Sequence, residues 1–152
     1  MPAEPQVSPA SRALLAQLRD WAQGLPPASA VVSEELNPDY GGLLFKVRPS
    51  QPDCLTLTVG LGVNDAVDFF WGEGYRWENW TATPAEVLEV CEAVRKGNVF
   101  EETWMIGSWA LERRCYIDAP SGRSGSGSYP MPRWLKRWAH LSIRRYEPWV
   151  AR

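Results

Sequence analysis

Histidine is almost missing from this chain of 152 residues, His140 being the only one. Hydrolytic and metal-centred chemistry at neutral pH draws first on imidazole, as base or as ligand, so both lose their usual starting point. Cysteine is scarce as well. Cys54, Cys91 and Cys115 are odd in number and widely spaced, which fits neither a disulfide framework nor a paired-cysteine metal site. They read as reduced thiols in a core. No apolar run approaches the roughly 18 residues of a membrane span, and Met1-Pro-Ala-Glu-Pro-Gln-Val-Ser-Pro9 lacks the basic and apolar blocks of a leader. A cytoplasmic protein without membrane contact is the expectation. Gly60-Leu-Gly62 has neither the third glycine nor the following helix of a dinucleotide fingerprint, and a phosphate loop or dense Asp pattern is absent. Composition and motifs thus imply no cofactor and no metal.

What is present is ordinary in bulk and unusual in detail. Hydrophobic residues make up 45% and charged residues 22%, as in a globular chain able to bury one core. A single domain over 1–152 is expected, with 1–8 as an extended N-terminus. Charge is segregated: nine Lys and Arg stand against seventeen Asp and Glu up to residue 118, and seven against one after it. A predominantly acidic body argues against nucleic-acid binding, which needs a basic face. Only the segment holding Arg133, Lys136, Arg137, Arg144 and Arg145 keeps that class open.

Two helices are predicted. Leu14, Leu15, Leu18, Trp21 and Ala22 recur at helical spacing behind Ser8 as N-cap and Pro9 at N1, giving a helix over about 9–23. Thr83-Pro-Ala-Glu86 is a capping box, followed by Val87, Val90, Cys91 and Val94 on one face, giving a second over about 84–96 that Gly97 ends. Elsewhere the period is two. Leu43, Phe45 and Val47, then Cys54 to Leu61, alternate as strands. Asn98 to Ile106 and Trp109 to Asp118 flank Gly107-Ser108, a pair suited to a type II' hairpin. The Gly- and Ser-rich stretch, 119–130, predicts a flexible loop. Residues 133–146 fit a helix or a strand, with a strand over about 137–146 preferred. Short turns between the strands imply antiparallel pairing. The expected class is α+β: one curved antiparallel sheet with two packed helices.

Nine tryptophans are present, three of them in Asp68-Phe-Phe-Trp-Gly-Glu-Gly-Tyr-Arg-Trp-Glu-Asn-Trp80. Trp21 and Trp104 are expected to fill the core between helix and sheet. In the hairpin, rigid aromatic area lies beside carboxylates, a combination suited to holding another molecule. The candidate partner-binding residues are Trp71, Tyr75 and Trp77 as anchors, Trp80 beside them, and Asp68, Glu73 and Glu78 as steering charges. Other constellations are thinner. Cys115 and His140 form a conceivable nucleophile and base, and Asp65, Asp68, Glu73 and Glu78 a conceivable hard-cation cluster. Glu73, Glu78, Glu101 and Glu102 could supply paired carboxylates for glycoside chemistry, if geometry allowed.

The succession Phe70-Trp-Gly-Glu73, Thr83-Pro-Ala-Glu-Val-Leu88, Val94-Arg-Lys-Gly-Asn-Val-Phe-Glu101 and Trp104, spanning Phe69 to Trp109, resembles small bacterial immunity proteins and proteins found near polymorphic toxins. That resemblance implies a noncatalytic inhibitor that caps a toxin's active site, often with acidic residues against a basic nuclease. It transfers no individual functional residue. A protein-binding module of this type is the leading expectation. A small enzyme or carbohydrate-binding module on the acidic aromatic hairpin is the second, and a nucleic-acid binder on the basic C-terminal segment the third.

Overall fold

The computed structural model describes residues 5–37, 41–72, 74–127 and 132–149. The chain is α+β with antiparallel strands throughout, and the strands divide between two sheets instead of forming one. Helix α1 (Pro9–Gln23) leads into β1 (Ala30–Leu36), β2 (Leu43–Pro49), β3 (Leu57–Leu61), β4 (Val67–Trp71) and β5 (Tyr75–Trp80). These five form a meander, sheet A, in sequence order. Helix α2 (Pro84–Arg95) is followed by β6 (Val99–Ile106), β7 (Trp109–Ala119), β8 (Gly122–Gly127), the short α3 (Arg133–Lys136) and β9 (His140–Arg145). The last four strands form sheet B, in the order β8-β7-β6-β9.

Both long helices start where their caps dictate. Ser8 Oγ accepts from the Ser11 backbone N–H, and Thr83 and Glu86 complete the reciprocal capping box, satisfying donors that no helical carbonyl can reach. The apolar stripes then face one core: Leu14, Leu15 and Leu18 from α1, and Val87, Val90, Cys91 and Val94 from α2. Sheet A contributes its inner face in register. Phe45 lies opposite Val59 and Val59 opposite Phe69, while Val47, Leu57 and Trp71 form the adjoining row. Gly97 stands at φ +72°, and an added Cβ would meet Tyr146 O at 2.7 Å. The C-terminal segment crosses there, its Trp149 N–H donating to Arg95 O at 2.8 Å and its indole fully buried against Trp21.

The hairpin at Gly107-Ser108 is as expected. Ile106 pairs with Trp109 and Gly107 is at φ +59°, the sign a type II' turn needs at its first central residue. The Gly- and Ser-rich stretch differs from expectation: 122–127 is strand β8, paired with β7 from Arg114↔Gly127 to Ala119↔Gly122. The reason lies in β7. A Cβ at Gly125 would sit 3.0 Å from the Tyr116 ring, so a residue without a side chain is what lets the backbones approach. Residues 128–130 of the expected loop lie outside the described region. Trp104 also departs from expectation. Along β6, Val99 enters the core whereas Phe100, one residue on, does not, and alternation carries Trp104 to the outer face with it.

Candidate partner interface

The hairpin residues do not share a surface. Trp71 pairs with Tyr75, Phe69 with Trp77 and Val67 with Trp80, so all four ring-bearing candidates point to the inner side of sheet A, where ring centroids approach to 4.5 Å for Trp71 and Trp77 and 5.1 Å for Trp77 and Trp80. Trp71 is wholly buried, and Tyr75, Trp77 and Trp80 are half-buried. Asp68 and Glu78 alternate to the outer face. Glu73 lies outside the described residues. Thus the ring anchors lie on one side of the strand pair and the two described steering charges, Asp68 and Glu78, on the other, as a period of two requires.

The inward aromatics sit beside the boundary between the sheets. No ladder joins β5 to sheet B among the described residues; side chains tie β5 to β6 and to β8 instead. Tyr75 Oη donates to Glu101 Oε2 at 2.6 Å, and Trp77 Nε1 donates to Gly125 O at 3.4 Å. Burial, then the carboxylate beside it, drives the Tyr75 hydroxyl far above its ordinary pKa, so it stays a donor. Cys115 lies just behind, its thiol pushed up to about 11 chiefly by burial, against the opposing pull of the Trp71 indole.

The remaining candidate pairs are separated. Cys115 is aligned with Glu101 on β6 and His140 with Met105, four residues further along, or about 13 Å at strand rise. The carboxylates likewise disperse: Glu101 faces Tyr75, Glu102 points to the opposite side of β6, and Glu78 lies in the other sheet. Among the described residues, no group of three or more His, Cys, Asp or Glu side chains has the spacing of a metal site.

The most exposed aromatic surface lies elsewhere, on α3, β9 and the β6–β7 turn. Trp109, Trp134, Trp138, Leu141 and Ile143 are between 41 and 75% exposed, and cations interleave them. Lys136 Nζ lies 5.0 Å above the Trp104 ring and 3.5 Å from Glu112, whose carboxylate also meets Arg114 Nε at 2.6 Å. Glu112 is 1% exposed; this buried carboxylate under two cations fastens α3 to the outer face of sheet B. Arg137 packs over Trp138 and Arg145 over Phe100. Strand β9 closes the sheet's edge with all six residues exposed. Sequence reasoning noted the basic run here but not its tryptophans as surface. Among the described residues β9 pairs with β6 alone, a long-range placement that no local pattern encodes. No family model, curated protein or solved structure matches this chain.

Proposed function

We propose that this chain is a noncatalytic protein-binding module of the immunity type, an inhibitor that acts by covering a partner, and that its contact surface is the α3–β9 face. The observation carrying this reading is the number of large exposed apolar side chains on this part of the chain, Trp109, Trp134, Trp138, Leu141 and Ile143, with Arg137 packed over Trp138. Single exposed apolar residues on a surface are normal, whereas three exposed tryptophans with arginine among them have the composition of interface hot spots. Its charge favours a partner of the opposite sign. The immunity resemblance pairs acidic residues with a basic enzyme; this face is cationic and complements an acidic surface. Arg114 and Lys136 already share Glu112, which leaves fewer cations for phosphate and favours a protein over a nucleic acid.

The test is affinity purification from the native host with wild type, a Trp134→Ser/Trp138→Ser variant and a Glu78→Lys variant, each first shown to be folded. The expected result is one near-stoichiometric protein partner that the double variant loses and Glu78→Lys retains. Equal retention by all three would remove the face from consideration, and recovery of nucleic acid alone would replace the protein reading.

A further inference from the structure

The outer side of sheet A holds a depression of about 700 Å³, within the range of small-molecule sites. We propose that it binds a small polyhydroxylated ligand of the saccharide class. This inference is independent of the α3–β9 face, which lies on the other sheet.

The floor is apolar and contains a gap. Leu44, Thr58 and Phe70 supply it, and Gly60 lies at its centre, opposite Leu44 on one side and Asp68 on the other. The backbone at Gly60 is not in the left-handed region, so conformation does not demand glycine there. Space does: a Cβ would stand 3.1 Å from Asp68 Cβ and 3.6 Å from Leu44 Cδ2, filling the hollow. The rim is built by two departures from regular pairing. A bulge falls between Val67 and Phe69, and Asn79 takes φ +51°, uncommon for a residue with a side chain. Bulges re-aim side chains, and here the irregular stretch carries Asp68, Glu78 and Asn79 to the lip. The Asn79 N–H donates to Asp68 Oδ1 at 2.8 Å, which fixes that carboxylate while the bond leaves Oδ2 unused.

The ligand class follows from the lining. Planar polar groups, the carboxylates of Asp68 and Glu78, the guanidinium of Arg76 and the amide of Asn64, surround an aromatic ring and an aliphatic floor. Such groups match neighbouring hydroxyls two at a time, while Phe70 offers a flat surface to the C–H face of a sugar ring. Acceptors outnumber cationic donors, so phosphate and carboxylate ligands are disfavoured. Glu78 lies 3.3 Å from Arg76, so the site keeps too little negative charge to select a polyamine, which has no face for the ring.

Titration of the full-length protein, followed by amide chemical shifts, tests this with cellobiose, maltose and chitobiose at up to about 10 mM, the affinity range of weak sites. Spermidine and inorganic phosphate serve as the contrasting probes. Saturable shifts at Gly60, Phe70 and Asn79 with at least one disaccharide are expected. Phe70→Ala should weaken them about tenfold, as should Glu78→Gln in case Phe70→Ala perturbs the strand. Absence of saturable shifts with every sugar overturns the proposal, and so does a response to spermidine or phosphate alone.

Discussion

Replacing Trp71 with alanine separates a core role from a binding role for the hairpin. Trp71 is fully buried and meets Phe69, Tyr75 and Trp77 at centroid distances of 5.9, 6.0 and 4.5 Å. Removing an indole exposes or leaves empty roughly 150–250 Å², worth about 4–6 kcal/mol by area, and aromatic-to-alanine changes in cores cost about 3–5 kcal/mol. A loss of about 4 kcal/mol is a large part of the roughly 5–15 kcal/mol that holds a domain together. With a guanidinium slope near 4 kcal/mol per molar, the unfolding midpoint should fall by about 1 M. Far-UV circular dichroism is the suitable signal, because the substitution alters fluorescence by itself. Trp134→Ala, at an exposed position on α3, should stay within about 0.5 kcal/mol of wild type. If the two variants unfold at the same midpoint, the inward placement of the hairpin aromatics does not stabilise the chain and the account of sheet A is wrong.

Two further outcomes follow from buried or paired groups. Glu92 receives hydrogen bonds from Arg95 and Trp21, with Lys96 nearby, and its pKa falls to about 2; since the unfolded carboxyl titrates near 4.3, the contribution is complete above that value and lost as pH drops toward 2. Glu92→Gln should therefore lower the neutral-pH midpoint and flatten its decline in acid, and unchanged slopes in paired titrations would count against the cluster. Burial drives the Cys91 thiol far up and Cys115 less so, so a thiol reagent at mildly alkaline pH should label at most Cys54 before unfolding and all three cysteines in denaturant; rapid labelling of Cys91 would show that α2 opens.

The parts that could be read ahead were those specified by neighbours in sequence. Ser8 with Pro9, and Thr83 with Glu86, fix helix starts through bonds spanning three residues, and the boundaries of α1 and α2 follow. The inward set was legible too, had the period been carried through the turn: Phe69, Trp71, Tyr75 and Trp77 are matched across Gly72 to Gly74. Strand β1 lacked a signal, because its residues are mostly exposed and Glu34 is held by Arg19 of α1 instead of packing. Strand β8 had none either, since its pairing is selected by Tyr116 on the partner strand. Trp149 is buried through contacts with Trp21 and the end of α2, far away in sequence. The division into two sheets and the exposure of β9 belong to the same class of long-range fact.

The order of strands in the two sheets also sets an order of assembly. Every ladder in sheet A joins sequence neighbours, so each closes a short loop at small entropic cost. Sheet B is different, because β9 must return past β7 and β8 to lie against β6. During synthesis, the meander is complete in sequence before α2 and any strand of sheet B have been made, and its row of Phe69, Trp71, Trp77 and Trp80 then has no cover from α2 or β8. A nascent chain whose β5 has left the ribosome while α2 and sheet B are still to emerge would therefore display an aromatic row that the finished fold covers.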